Sequence, residues 1–376
     1  MSQRILIAGG GTGGHLMPAL AIAAALRTAA PEFEPVLVGA ERGVEARILP
    51  TRDFRHHLLA AEPIYRRTWW RNARWPLVAW RLLSQLRRLF DEERPAAVIG
   101  TGGYASGPVV WWAARRGIPT AIQEQNAYPG LTTRRLSRRA RHIYLGLPEA
   151  RALLRPGPDT IVFDTGNPIT PPAPERRPAA LARFALDGTR PVLLVTGGSQ
   201  GALAINRAVA GWLDAGRATE ASVIWVTGRG THAEFARYHR PPNVSVIDFL
   251  DPMADGYAVA DLVVSRAGMI TVAEVCAWGL PSILVPLPTA AADHQTHNAR
   301  AMAEAGAAVF LPQVGPSADG LGALIDELLA SPERRSAMAS RALARGRPGA
   351  ARDIVSHLLT LAGSSRPFAN GHKILP

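Results

Sequence analysis

Arg4-Ile-Leu-Ile-Ala-Gly-Gly-Gly-Thr-Gly-Gly-His15-Leu-Met-Pro18 is the stretch that decides the fold. Ile5 to Ala8 read as a short buried strand, and five of the six residues 9–14 are glycine. The Ala/Leu-rich run from Pro18 to Ala30 then has apolar residues at helical spacing. Strand, glycine turn and helix make the opening unit of a doubly wound α/β domain. Glycine lets the backbone turn tightly and bring its N–H groups up to a ligand. The positive end of the helix makes an anion, most often phosphate, the expected guest. His15 stands at the lip of the turn, either as a titratable group beside a phosphate cradle or as a residue that closes the turn. Gly9, Gly11 and Gly14 fit G-x-G-x-x-G, which by itself suits a nicotinamide or flavin enzyme. A P-loop is excluded, because the turn has no lysine and the chain's single one is Lys373.

The 376 residues suffice for two domains of ordinary size. With 47% apolar and 19% charged residues the composition is globular. The net charge of +12 comes almost wholly from arginine and points to an anionic partner: a phosphorylated ligand, nucleic acid or anionic lipid. The lone Cys276 excludes an intrachain disulfide and a cysteine-based zinc site, and its helical apolar surroundings make it a small core residue. No signal-like segment opens the chain, and no apolar run reaches the roughly 18 residues of a membrane span. The expectation is a cytoplasmic protein.

Pro35 to Gly39 reads as a second strand, with Glu41 just beyond it. An acid there can hold a ribose, but Glu41 stands slightly late and reads better as a surface residue. Residues 63–90 carry seven arginines (66, 67, 71, 74, 81, 87 and 88), no acid, and Trp69, Trp70, Trp75 and Trp80. From Pro76 the pattern is helical. Ala79, Leu82, Leu83, Leu86, Leu89 and Phe90 share one face, with Arg81, Ser84 and Arg88 opposite and Leu77 and Trp80 beside them. Basic and aromatic residues on one segment predict a membrane-surface element built on Trp69, Trp70, Arg71, Arg74, Trp75, Trp80 and Arg81; the alternative is an ordinary helix packed on the domain.

Ala96–Thr101 is the next strand, and it runs into a second glycine turn, Gly102–Pro108. Strands follow at Thr120–Asn126, His142–Gly146 and Thr160–Asp164. Asn126 lies where ligands bind in open α/β sheets, off a strand's carboxyl end; it is equally well placed as a turn former before Pro129 and Gly130. The proline-rich Gly166–Pro178 reads as a domain linker. The opening pattern then returns: a strand and glycine turn over Pro191–Gly201, a helix over Ala202–Leu213, and strands at Ser222–Thr227, Val244–Phe249, Leu262–Ser265, Ser282–Pro286 and Ala308–Leu311. Two α/β domains in tandem, each with a phosphate cradle, suit an enzyme that joins a nucleotide-bound donor to a second phosphorylated substrate.

Seven motifs occur in order: Gly9–His15, Thr101–Pro108, Glu124-Gln-Asn126, Gly166-Asn-Pro168, Gly197-Gly-Ser-Gln-Gly201, Arg266-Ala-Gly-Met-Ile-Thr-Val-Ala-Glu274 and Asp293-His-Gln-Thr-His-Asn298. On these the chain resembles the MurG family of UDP-N-acetylglucosamine (UDP-GlcNAc) transferases, which convert lipid I to lipid II in peptidoglycan synthesis. The resemblance implies an α/β GT-B fold of two Rossmann-like doubly wound domains facing across a cleft. Residues 1–165 would form the acceptor and membrane-associating domain and 166–345 the UDP-GlcNAc-binding domain. Residues 346–364 would form a C-terminal helix crossing back to the first domain, and 365–376 a flexible tail.

Thr271-x-x-Glu274 fits a capping box, in which the glutamate folds back on the helix start. The resemblance instead gives Glu274 to the two ribose hydroxyls, which a carboxylate's two acceptor oxygens can hold. It also implies donor contacts from Thr12, Gly13, Gly14, Asn126, Ser199, Gln200, the main chain at Leu250, Met253, Met269, Ile270, Thr271 and Gln295, the last on the sugar. The N–H groups of Gly198 to Gly201 would meet the diphosphate. Acceptor contacts would come from Gly13, Gly14, His15, Gly103, Tyr104 and Ser106. His15 and Asn126 are the implied catalytic pair. The acceptor's 4-hydroxyl must lose a proton as it attacks, and a helix N-terminus favours the neutral imidazole that can take it; alternatively His15 only binds the acceptor diphosphate. His294 and His297 have no carboxylate pair to complete a metal site, and there is no Asp-x-Asp. The expectation is an inverting transfer with no metal and no cofactor, in which N–H groups and helix dipoles stabilise the departing diphosphate.

The implied partners are UDP-GlcNAc, lipid I, an anionic membrane surface at the cytoplasmic face of the inner membrane, and proteins of cell-wall synthesis and division. No nucleic acid is expected, since no recognition helix or stacking motif is present. Two departures stand out. Thr170 occupies a position where the family usually has Arg, and Gln123 replaces the His of the usual His-Glu-Gln-Asn. The competing readings are another UDP-sugar transferase of the same fold, a dinucleotide-dependent oxidoreductase, and a non-catalytic membrane binder built on residues 63–90.

Overall fold

Ile5 to Ala8 do form a strand, and none of the four exposes any surface. The computed structural model describes residues 3–63, 74–198, 200–217, 221–314 and 320–363. Trp69, Trp70, Arg71, Ser199 and the tail 365–376 lie outside these residues. The chain divides into two units, Met1–Ile169 with Gly349–Pro376, and Thr170–Pro348.

The first unit runs β1 (Gln3–Ala8), α1 (Gly13–Ala29), β2 (Phe33–Ala40), α2 (Glu45–Ile48), β3 (Arg55–Leu59), α3 (Trp75–Glu93), β4 (Ala97–Gly100), α4 (Gly103–Arg115), β5 (Thr120–Glu124), α5 (Leu131–Leu136), β6 (His142–Leu145) and β7 (Ile161–Phe163). The second runs α6 (Arg177–Arg183), β8 (Val192–Thr196), α7 (Leu203–Asp214), β9 (Ser222–Val226), α8 (His232–Phe235), β10 (Val244–Ile247), α9 (Met253–Val259), β11 (Leu262–Ser265), α10 (Met269–Trp278), β12 (Ser282–Leu284), α11 (His294–Glu304), β13 (Ala308–Phe310), α12 (Leu321–Leu329) and α13 (Pro332–Arg345). The chain ends its described part in α14 (Ala350–Leu361), which belongs to the first unit. The strand orders are β3-β2-β1-β4-β5-β6-β7 and β10-β9-β8-β11-β12-β13, parallel throughout.

Parallel strands are covered on both faces, so they read as unbroken apolar runs. In the first unit Leu6, Ala8, Val36 and Val38 face α3 and α4, while Ile5, Ile7 and Leu37 face α1 and α14. Ile354, Val355, Leu358 and Leu359 of α14 join Leu16, Ile22 and Leu26 of α1 in that second layer. β3 escapes the apolar pattern, because Arg55-His-His57 is polar. It is an edge strand whose Arg55 and His57 side chains bond Glu93 of α3 at 2.8 and 2.6 Å.

Three expectations change. The Gly166–Pro178 linker shrinks: Gly166 to Ile169 are buried in the first unit, and helical turns begin at Pro174, held by ion pairs of Arg176 and Arg183 with Asp255. The apolar stripe of α3 is buried only at Leu86, Leu89 and Phe90, and Leu83 is 43% exposed. Leu77 and Trp80 are 75% and 74% exposed, whereas Trp75 is half-buried. Cys276 is a core residue as expected, and burial pushes its thiol up to about 12.

Where α14 meets the sheet, the His357 ring stacks on Phe163 with centroids 3.9 Å apart and on Tyr144 at 5.9 Å, beside His142. Burial, with help from His357 and Arg141, lowers His142 to about 4; burial also lowers His357, against the pull of Asp353. The unfolded chain binds these protons near the usual 6.5, so folding strength is complete above that pH and falls as pH drops from 6.5 toward 4. Thermal melts across that window should show Tm falling in wild type and a flatter profile in a His142→Phe, His357→Phe double variant. Identical profiles would contradict this linkage.

Candidate active site

In an open α/β sheet the ligand lies at the carboxyl ends of the strands, where the strand order reverses. In the first unit the reversal falls between β1 and β4, which lead into Gly9–Gly14 and Thr101–Gly103. The two turns nest. Gly103 has φ +78°, and a Cβ there would fall on the Gly10 carbonyl oxygen. Gly11 has φ +90°, and a Cβ there would come within 2.7 Å of the Tyr104 ring. Beneath them Glu45 is fully buried and accepts hydrogen bonds from the N–H of Gly11, at 2.8 and 3.0 Å to its two oxygens, and of Ala40 at 2.9 Å. The expected cradle is therefore corrected at Gly11, whose N–H points inward. The exposed first turn of α1 is left to Thr12, Gly13 and Gly14, with nothing within 4 Å of a Cβ placed at Gly13.

His15, half-buried, follows in this turn. Its Nδ1 lies 3.2 Å from Gln125 Oε1, and its carbonyl accepts from Thr101 Oγ1 at 2.8 Å. Asn126 is half-exposed. Its main-chain N–H and its Nδ2 donate to Glu124 Oε1 at 3.0 and 3.2 Å, while Gly130 N–H donates to Glu124 Oε2 at 3.0 Å. Asn126 thus does shape the turn. Gly103 and Tyr104 are partly exposed. Ser106 is a correction: it is 2% exposed and donates to the Gly103 carbonyl at 3.2 Å, inside the first turn of α4.

In the second unit the reversal falls between β8 and β11. Two amides of the glycine turn after β8 are engaged internally: Gly198 N–H donates to Thr196 Oγ1 at 3.3 Å and Gly201 N–H to the Gly198 carbonyl at 2.9 Å. That corrects their expected role as phosphate donors; Gln200 is exposed there, and α7 begins only at Leu203. The helix start at β11 is different. Gly268 caps α10, so Met269, Ile270 and Thr271 are its first three residues, whose N–H groups have no helical partner. The capping box is also corrected, because Thr271 lies inside the helix and Glu274 a turn further on. Glu274 Oε2 instead accepts from the Tyr257 hydroxyl at 2.9 Å. Burial raises the Glu274 carboxyl above its usual range, and burial together with Glu274 raises Tyr257.

Leu250 (3% exposed) and Met269 (5%) are core side chains, leaving main-chain contacts to them, whereas Met253 is half-exposed. Gln295 Oε1 accepts from Leu287 N–H at 3.0 Å. Arg266 donates to the carbonyls of Val285 and Pro286 at 3.1 and 3.0 Å, and buried Asn298 to that of Ala267 at 3.1 Å. These bonds tie the loops after β11 and β12 to α11. His294 Nδ1 is engaged with the Ala291 carbonyl at 2.7 Å. Among the described residues, the one set of His and acidic groups close enough to share an ion is His57, Glu92 and Glu93, which Arg4 and Arg55 neutralise. Periodicity missed Glu45, Thr101, Gln125 and Tyr257; the available signal was the polar run Gln123-Glu124-Gln125 closing an apolar strand.

Residues 5–145 match the glycosyltransferase family 28 N-terminal domain, and residues 192–354 match the family 28 C-terminal domain. The UDP-N-acetylglucosamine–N-acetylmuramyl-(pentapeptide) pyrophosphoryl-undecaprenol N-acetylglucosamine transferase of Salinibacter ruber is 40% identical over 368 residues, covering 97% of this chain and 98% of that protein. The enzyme of the same name from Chlorobium phaeobacteroides is 39% identical over 367 residues, covering 96% and 100%. The crystal structure of Acinetobacter baumannii MurG superposes with a TM-score of 0.76 at 28% identity, over 95% of this chain and 99% of that one. A dinucleotide oxidoreductase is thereby set aside. With both of its domain models matched and its relatives aligned nearly end to end, the chain belongs to glycosyltransferase family 28 and, within it, to the MurG family of N-acetylglucosamine transferases.

Proposed function

We propose that this chain transfers N-acetylglucosamine from UDP-GlcNAc to the 4-hydroxyl of the N-acetylmuramyl residue in undecaprenyl-pyrophosphoryl-N-acetylmuramyl-pentapeptide. The observation that carries this reading is His15, set in the open first turn of α1 and bonded to Gln125, in a chain 40% identical to a transferase of that name. The acceptor hydroxyl attacks the anomeric carbon, the bond to the UDP oxygen breaks, and His15 takes the hydroxyl proton. Gly13, Gly14, Gly103, Tyr104 and Asn126 position the acceptor.

On the donor side, the first amides of α10 at Met269, Ile270 and Thr271 stabilise the departing diphosphate, as N–H donors at a positive helix end do. Glu274, with one oxygen engaged by Tyr257, presents the other to the ribose. Met253 and the main chain at Leu250 border the uracil, and Gln295 and Gln200 reach the sugar and phosphates. Among the described residues, neither this set nor His294 and His297 belongs to a group of three or more His, Cys or acidic side chains close enough to share an ion.

His15→Ala should lower turnover about 10²–10⁴-fold with UDP affinity nearly unchanged. Glu274→Ala should weaken UDP binding by roughly 1.5–3 kcal/mol per lost bond, and wild type should prefer UDP to 2′-deoxy-UDP. Both are read in a labelled-sugar transfer assay with a lipid I analogue and by titration calorimetry. Full turnover of His15→Ala removes the base, and equal affinity for the two nucleotides removes the ribose grip.

The acceptor's lipid places this enzyme at a membrane surface, peripherally, on the cytoplasmic face where proteins of cell-wall synthesis and division work. Among the described residues no helix is long and apolar enough to cross a membrane. The element that supports surface binding is α3. Leu77, Trp80 and Leu83 stand out at its edge beside exposed Arg74, Arg81, Arg87 and Arg88. Arg81 and Arg74 also pair with Glu41 and Glu62 at 2.8 and 3.7 Å, so the apolar residues contribute the larger share. A Leu77→Ser, Trp80→Ser variant should lose sedimentation with anionic vesicles while keeping its Tm and UDP affinity, whereas Trp75→Ala should lower Tm. Unchanged sedimentation would reject the surface.

A further inference from the structure

We infer that Gln125, locked in one orientation by Gln123 and Asn167, is a positioning residue that holds His15 as the Nδ1–H tautomer and so presents Nε2 as its proton-accepting nitrogen. The inference deepens the proposed transfer and rests on His15 being its base. It follows from which atoms are able to donate. A main-chain carbonyl can only accept. Gln125 therefore turns its NH2 to the Thr101 carbonyl at 2.5 Å, and the second hydrogen of that NH2 meets Gln123 Oε1. The Gln125 main-chain carbonyl in turn fixes Asn167, whose Nδ2 donates to it at 3.1 Å. Asn167 Oδ1 then faces Gln123 Nε2 at 2.8 Å. Two main-chain carbonyls thus set the direction of all three amides.

The atom this leaves toward His15 is Gln125 Oε1, an acceptor, 3.2 Å from Nδ1. Nδ1 must bring the hydrogen, and a neutral imidazole carries only one, so Nε2 keeps the lone pair. Gln123, Gln125 and Asn167 are 0%, 2% and 2% exposed, so water does not compete for these bonds. The motif Gly166-Asn-Pro168 thereby acquires a purpose, since its Asn reaches the end of β5 and sets the base. Gln123, standing where the resemblance expects His, makes the relay wholly of amides. None of its members changes charge, so its direction is the same at every pH at which the protein folds.

The test is a long-range proton–nitrogen NMR spectrum of the full-length protein labelled with 15N-histidine, at a pH where His15 is neutral, with its signals assigned by their loss in His15→Ala. The expected pattern is a protonated Nδ1 and an unprotonated Nε2. Gln125→Leu should move His15 toward the Nε2–H form and lower kcat about tenfold or more with UDP affinity unchanged. A protonated Nε2 in wild type overturns the inference, and so does a folded Gln125→Leu protein whose His15 spectrum is unaltered. Should Gln125→Leu fail to fold, the wild-type spectrum alone decides. A wild-type Nδ1–H pattern together with full turnover of His15→Ala would sink the base assignment and leave the tautomer standing, so the two failures are told apart.

Discussion

The Gly10 carbonyl oxygen occupies the place where residue 103 would carry a Cβ, and the first unit's chemistry depends on that contact. Two parallel strands side by side bring their carboxyl ends together, and the turns leaving them compete for one space. Glycine at both turns resolves the competition. The turn after β4 can then lie against the turn after β1, so Thr101 reaches the His15 carbonyl and Gln125 reaches its ring. Glu45 closes the arrangement from below. Side chains at Gly10 or Gly43 would collide with its carboxylate, and one at Gly39 with its Cγ and Cβ, so these glycines serve the packing of a buried acid.

The second unit solves the same problem differently. Its glycine turn after β8 nests on Gly228, and the amides of Gly198 and Gly201 are engaged within the loop. The open N–H groups belong to α10, at the neighbouring strand β11. Each unit thus has a helix start at its reversal point, but one carries an imidazole and the other a half-buried carboxylate bonded to a tyrosine. That asymmetry matches a transfer between two substrates: a base for the hydroxyl that attacks, and a nucleotide grip with backbone donors for the diphosphate that leaves.

Much of this was legible in the sequence. Parallel strands are short and apolar on both faces, so twelve of the thirteen among the described residues could be read directly; β3 could not, because it sits at an edge and bonds through Arg55 and His57. The glycine motifs marked both reversal points. The direction of N–H groups within a turn was not legible, since it depends on which buried acceptor lies beneath, as Glu45 does beneath Gly11. Thr271 and Glu274 have the spacing of a capping box, yet the helix starts two residues before Thr271, and only tertiary packing against Tyr257 settles where the carboxylate goes. Gln123, a departure from the family pattern, keeps its place in a closed set of amide bonds.

The central chemical claim is a single displacement, in which a hydroxyl deprotonated by His15 attacks directly and no group of the protein forms a covalent bond to the sugar. UDP-GlcNAc carries its sugar in the α configuration, so one displacement must deliver the β anomer. The most direct test is the proton NMR coupling at the new anomeric centre of the disaccharide made by the full-length protein from UDP-GlcNAc and a soluble lipid I analogue. The account predicts the large coupling of a β linkage. The small coupling of an α linkage would contradict it.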